Sequence, residues 1–351
     1  MNPTIHIGNR EIGQGLPVYV IAEMSANHGR DFDRATQVIM AAKEAGADAI
    51  KLQTYTPDTM TIDCRGGHFT VQGTAWNGRN LYELYGEAHT PWEWQPKLQQ
   101  IAHDIGLDFF STPFDASAVT FLQDMNVPVF KVASFEIIDI PLLRLIARTG
   151  KPVILSTGMA TIAEIEEALA TLSANGCHDV VLLKCTSAYP AQPEEMHLRT
   201  ITDLQRRFGA PVGLSDHTLD VAIPAAAVAL GACVIEKHLT RDRREGGPDS
   251  HFSLEPEEFR RMVDAVRVVE RAVGEVRYGV KGNEDKQVMF RRSVFVVADI
   301  AAGETFTPEN VRVIRPGHGM HPRDYDEVLG RVAEVDIKRG TPLQWVMVQT
   351  D

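Results

Sequence analysis

Between residue 18 and about residue 273 the chain alternates between two textures. Short runs rich in β-branched and aromatic residues, apolar on both faces, give way to longer stretches with apolar positions at helical spacing. The runs Val18–Met24, Asp48–Gln53, Leu107–Ser111, Val129–Ala133, Val153–Ser156, Val180–Cys185, Val212–Ser215 and Cys233–Lys237 read as strands. Asp33–Ala45, Pro91–Ile105, Ile162–Ser173 and Pro256–Val273 read as helices. The punctuation agrees. Asp115 is placed to cap a helix, Pro91 and Pro141 stand where a first turn tolerates proline, and Gly46 and Gly150 where a helix stops. Eight such units, with strands buried on both faces, predict a closed α/β barrel of the (β/α)8, or TIM, type. A doubly wound open sheet is the alternative. It is disfavoured because no G-x-G-x-x-G follows the first strand.

Past residue 280 the texture changes. Residues 281–292 read as a linker, and 293–351 as a small, mainly-β domain of short strands and Gly turns after a barrel domain of 1–280. Within it, ADIAAGETF and VDIKRGTPL resemble each other, which predicts an internal pseudo-symmetry.

Charge narrows the class. The formal net charge is −12, from 35 basic and 47 acidic residues. A protein working on phosphate backbones would carry a basic excess, so nucleic acid is not the expected partner, and any anionic ligand must be met by local positive charge. The N-terminus lacks an apolar signal core. The longest uncharged stretch, Val221–Ile235, is too short for a membrane span, so a cytoplasmic protein without membrane partners is expected. Cys64, Cys177, Cys185 and Cys233 show no metal or disulfide spacing and read as buried, reduced thiols.

The predicted strands end in polar residues: Glu23, Lys51 with Gln53, Ser111 with Thr112, Ser134 with Glu136, Ser156, Lys184 with Ser187, Ser215 with His217, and Glu236 with His238. In a barrel these ends share one rim, where active sites lie. His217 and His238 on adjacent strands invite a divalent cation, although each alone could be structural. Lys51 and Lys184, with nearby serines, could receive a phosphate. Glu23 and Glu136 could each be a base, a hydroxyl anchor or an ion-pair partner. The segment from Tyr55 to Thr90 is too long for a simple connection. With its continuation to Trp94 it holds three of the four tryptophans, which reads as an aromatic lid.

The strings IAEMSANH (21–28), ADAIKLQ (47–53), STPF (111–114), KVASFE (131–136), LSTGM (155–159), CTSAYP (185–190), GLSDHT (213–218), EKHLT (236–240) and GPD (247–249) together resemble the sialic acid synthase family. RPGHG (315–319) within the last domain resembles that family's antifreeze-like (SAF) domain. The resemblance implies condensation of phosphoenolpyruvate with an N-acetylated amino sugar, yielding a nine-carbon 2-keto acid and phosphate. It implies phosphoenolpyruvate contacts at Lys51, Thr112, Ser134, Ser156, Ser187 and Ser215. Sugar contacts are implied at Gln53, Glu136, Tyr189, Asp249 and Arg315, and a divalent metal (Mn2+, Mg2+ or Co2+) on His217 and His238. Glu23 matches an essential carboxylate, and Arg315 an arginine that one copy of a domain-swapped homodimer inserts over its partner's barrel. Ser187 stands where relatives have Asn, and Lys184 where they often have His. GTAWNGRNLYELY (73–85) and TPWEW (90–94) resemble one branch of the family, which implies 2,4-diacetamido-2,4,6-trideoxy-L-altrose as the sugar. N-acetylmannosamine or a legionaminic precursor is the alternative. An aldolase or isomerase, or a carbohydrate-binding module, would be a reading of another class.

Overall fold

The computed structural model describes residues 1–349; Thr350 and Asp351, the end of the expected small domain, lie outside the described residues. The chain forms two compact units, Met1–Gly274 and Glu275–Asp351.

The first unit opens with a hairpin of β1 (Thr4–Ile7) and β2 (Arg10–Gly13). Eight parallel strands follow: β3 (Tyr19–Glu23), β4 (Ala49–Thr54), β5 (Asp108–Pro113), β6 (Phe130–Val132), β7 (Val153–Ser156), β8 (Val180–Cys185), β9 (Val212–Asp216) and β10 (Val234–His238). They close in chain order, β10 pairing with β3, so the expected (β/α)8 barrel is found and the open sheet is not. All eight strands read from the sequence are present within a residue or two. The hairpin was not read. Its apolar alternation is short, yet it buries Ile5, Ile7 and Ile12.

Strand parity organises the barrel, because alternate side chains point inward and toward the helices. Register then sets inward residues side by side. Lys51 pairs with Glu23, Glu23 with His238, Glu236 with Ser215, and Gln53 with Thr112. The helices bury periodic faces against the strands, as Phe259, Met262, Val263 and Val266 do in the helix Pro256–Val273. Asp115 caps its helix by accepting from the N–H groups of Ser117 and Ala118.

The second unit has its own core, including Val294, Val296, Ile300, Phe306, Val311 and Leu343. Antiparallel β11 (Ser293–Val296) and β12 (Val311–Ile314) carry part of it. The two similar strings pair with each other: Ile300 N–H donates to Ile337 O and Ile337 N–H to Ile300 O, at 2.9 and 2.8 Å. Asp299 accepts from the N–H of Arg339, and Asp336 from that of Ala302. The exchange is reciprocal, which is the physical basis of the repeat.

Candidate active site

At the C-terminal ends of the strands the inward residues form one buried polar cluster. Lys51 Nζ lies 2.7 Å from Glu23 Oε2 and 3.7 Å from Glu236 Oε1, and donates to Thr112 Oγ1 at 3.3 Å. Lys131 Nζ donates to Ser156 Oγ at 2.7 Å and lies 3.9 Å from Glu236 Oε1, which also accepts from Ser215 at 3.2 Å. Two ammonium groups and two carboxylates thus share one buried volume. Burial works against charge on Lys51, but Glu23 and Glu236 outweigh it and raise its pKa. Burial also opposes charge on Glu236, but Lys131 and Lys51 hold it ionised. Burial wins for the other two, raising Glu23 and lowering Lys131. An anion placed against Lys131 would reverse that last shift, so the cluster favours a negatively charged ligand.

Ser134 and Ser187 converge beside it. Gly158 N–H donates to Ser134 Oγ at 3.2 Å. A Cβ on Gly158 would come within 2.7 Å of Ser134 Oγ and closer still to Ser187 Oγ, so only glycine leaves this cradle open.

A cavity of about 520 Å³ opens above the rim. Its barrel wall carries the polar residues Ser25, Gln53, Glu136, Tyr189, His238 and Asp249 among apolar ones such as Phe114 and Phe252. Gln53 Nε2 donates to Glu23 Oε1 and to Ser25 Oγ, each at 2.9 Å, and Ser25 donates to Asp249. Burial pushes the Glu136 carboxyl up to about 7, and its Oε2 is buried without a hydrogen-bond partner. The other wall is the lid between β4 and β5, including the helix Leu81–Ala88. Trp76 of the lid reaches back to donate to Pro248 O at 2.9 Å and packs 5.6 Å from Tyr189.

His217 and His238 stand with ring centroids 5.3 Å apart. The His217 Nδ1 lies 2.9 Å from Thr186 O, an acceptor that holds a proton on Nδ1 and leaves Nε2 as the nitrogen for a metal; burial opposes charge on this ring, but Cys185, Thr186 O and Asp216 outweigh it and raise its pKa. Burial and His217 hold His238 well below the ordinary imidazole range, and its Nδ1 is buried without a partner. Two adjacent imidazoles, each offering a lone pair in its neutral form, fit a borderline divalent cation, which would displace the second proton of His217. Among the described residues no group of three or more His, Cys, Asp or Glu is arranged to hold a metal, so further ligands would have to come from substrate or water.

Lys184, which the sequence offers with Lys51 as a phosphate group, turns elsewhere: its Nζ donates to Cys185 O at 2.8 Å and to Thr186 Oγ1 at 2.7 Å, away from the barrel axis. The inward neighbour on β8 is Cys185, whose Sγ lies 3.7 Å from Ser187 Oγ and 4.0 Å from His217 Nδ1. Lys131 carries no distinguishing signal in the sequence, because its strand is only three residues long; folding buries it with Phe130 and Val132 and turns its ammonium to the cluster. Arg315 belongs to the second unit, where its side chain is exposed; among the described residues it has no hydrogen-bond or ion-pair partner. Cys64 is half-buried and the other three thiols are buried; all four are free.

Residues 38–278 match the NeuB family, and residues 291–349 match the SAF domain. The chain is 42% identical over 328 residues to the pseudaminic acid synthase of Helicobacter pylori, covering 93% of this chain and 96% of that one. It is 45% identical over 327 residues to the pseudaminic acid synthase of Campylobacter jejuni, covering 93% and 95%. Among solved structures it is similar to N-acetylneuraminic acid synthetase from Leptospira borgpetersenii in complex with citrate. There the TM-score is 0.73 and the identity 32%, over 82% of this chain and 96% of that one.

Proposed function

The chain belongs to the NeuB family, and on that premise we propose that it condenses phosphoenolpyruvate with 2,4-diacetamido-2,4,6-trideoxy-L-altrose and water, giving pseudaminic acid and phosphate. What carries the reading is one coincidence: a buried, anion-favouring lysine and serine cluster lies directly beneath a cavity with a polar floor and a lid wall.

Phosphoenolpyruvate sits on Lys51, Lys131, Thr112, Ser156 and Ser215, with Ser134, Ser187 and the Gly158 N–H as further donors. The open-chain sugar lies above it, with hydroxyls on Gln53, Glu136, Tyr189 and Asp249. A new bond joins C3 of phosphoenolpyruvate to the aldehyde carbon. The aldehyde oxygen takes a proton from Glu136, whose acid form is populated because burial raises it to about 7. Water adds to C2 and gives its proton to Glu23. The C2–O bond then breaks, its electron pair leaves with phosphate, and the remaining C2 hydroxyl proton passes to that phosphate as C2 becomes the keto carbon. A divalent cation on His217 and His238 would supply Lewis-acid polarisation of the aldehyde. Arg315 acts from a second copy of the chain, gripping an N-acyl group. The exposed, unpartnered guanidinium in a Pro-Gly turn and the family resemblance support that role.

The test is phosphate release from phosphoenolpyruvate with a panel of sugars. Turnover should be fastest with the diacetamido trideoxy sugar, fall on chelation, and return with Mn2+, Mg2+ or Co2+. A higher kcat/KM for N-acetylmannosamine would overturn the assignment.

A further inference from the structure

The lid helix Leu81–Ala88 presents two chemically different faces. Leu81, Leu84, Tyr85 and Ala88, at spacings of three, four and seven, all line the cavity. The opposite side carries ions: Glu83 pairs with Arg65 at 2.7 Å and Glu87 with Arg79 at 2.5 Å, while the Tyr82 hydroxyl donates to Asp58 at 3.1 Å. The cavity face is therefore apolar except for one atom, the Tyr85 hydroxyl. That phenol is raised by burial and then by the nearby Glu136 carboxylate, and no protein hydrogen bond engages it among the described residues. Its ring is held edge-on to Tyr55, with centroids 5.6 Å apart, and Tyr55 packs in turn on Phe114.

The helix is fastened before any ligand arrives. Asn80 caps it by accepting from the N–H groups of Tyr82 and Glu83, and donates to Cys64 O at 2.8 Å. Arg30 donates to Gly86 O at 2.6 Å, Thr90 Oγ1 lies 3.1 Å from His28 Nε2, and Trp92 donates to Tyr55 O at 3.0 Å. Burial holds His28 at about 4, so near neutrality its ring is uncharged and this tether does not titrate. A rigid wall of methyl groups with a single unsatisfied donor selects its ligand by what it cannot hydrate.

We propose that this helix face is the sugar-selecting element. Leu81, Leu84 and Ala88 receive the C6 methyl and the acetyl methyl at C4, and the Tyr85 hydroxyl donates to the carbonyl of the C4 acetamido group. The inference rests on the sugar assignment above and adds which residues make the choice. A sugar with hydroxyls at C4 and C6 would bury them against leucine without partners, which is a loss of binding rather than of chemistry.

The experiment compares the diacetamido trideoxy sugar with N-acetylmannosamine in wild type, Tyr85→Phe and Leu81→Ser. Phosphoenolpyruvate binding, followed by calorimetry, checks that each variant is folded. Tyr85→Phe should raise KM for the diacetamido sugar roughly 3- to 10-fold, the worth of one neutral hydrogen bond, with kcat within about 2-fold and N-acetylmannosamine unaffected. Leu81→Ser should lower kcat/KM for the diacetamido sugar and leave or improve that for N-acetylmannosamine. A ratio of kcat/KM between the two sugars that is unchanged from wild type in both variants would overturn the proposal alone. A wild type that prefers N-acetylmannosamine would overturn the sugar assignment and the proposal with it.

Discussion

Glu136 lines the cavity and Glu23 lies in the buried cluster beside Lys51, so the two carboxylates have different surroundings. Glu136 is opposed chiefly by burial, and its carboxyl rises to about 7. Glu23 is raised by burial too, but Lys51 at 2.7 Å and Gln53 at 2.9 Å stabilise its ionised form. The mechanism proposed above rests on that difference, with the acid at Glu136 and the base at Glu23. If Glu136 must be protonated to donate, kcat falls as pH rises through about 7, and Glu136→Gln both slows the reaction and removes that limb of the profile. A limb unchanged in Glu136→Gln would assign it to another group. Glu23→Gln keeps the shape and loses the basicity. Phosphoenolpyruvate affinity should persist while kcat drops about 10²-fold or more, as for a lost general base; a kcat near wild type would make Glu23 structural. Both carboxylates could be singled out from sequence as strand-end residues. Their division of labour could not, because it depends on Lys51, Gln53 and the lid, which reach them only through folding.

At the scale of elements, strand parity decides which polar residues do chemistry. On β9 and β10, Ser215, His217, Glu236 and His238 turn inward, and the residues between them turn out. Asp216 and Lys237 meet there at 2.5 Å, both buried, with Lys237 also donating to Thr218 O. This pair ties the two strands together behind both histidines. Lys237→Met would leave Asp216 buried without its ammonium partner, at a cost of about 3–5 kcal/mol. Urea denaturation should show a lowered midpoint with an unchanged slope, and the double variant with Asp216→Asn should recover part of the loss. An unchanged midpoint in the single variant would mean that the pair contributes nothing net. Parity was legible wherever polar residues stood two apart, as in Lys51 with Gln53. It failed at β6 and β8. Lys131 lies in a three-residue strand whose phase gives little to count, and Lys184 lies beside an apolar-looking cysteine that takes the inward place.

At the scale of the whole molecule, the second unit is a self-contained core built on a reciprocal pairing of Asp299-Ile300 with Asp336-Ile337. If its Arg315 serves a second copy, subunit exchange becomes the readout. Mixing Glu23→Gln chains with Arg315→Ala chains gives heterodimers in which one site carries both lesions and the other neither. Random two-fold pairing of equal amounts then restores about a quarter of wild-type activity. If Arg315 serves its own barrel, every site carries one lesion and nothing is restored. Mass spectrometry of the mixture establishes that heterodimers formed, so an absence of activity would reject action in trans.

The sequence by itself determined the barrel, the rim and the family. Each barrel strand announces itself through a local period, and the C-terminal ends of parallel strands share a face whatever the details of packing. It also marked the reciprocal strings of the second unit, since a pairing of similar segments leaves similar residues. Tertiary structure alone decided that Lys131 rather than Lys184 faces the cluster and that Lys51 is bracketed by Glu23 and Glu236. It also decided that the lid helix turns its leucines and one phenol toward the cavity. Those outcomes depend on strand phase, register and burial, and the groups that set each charge lie tens to hundreds of residues away along the chain. A local pattern records which residues can be inward; closing the barrel selects which ones are, and what they then face.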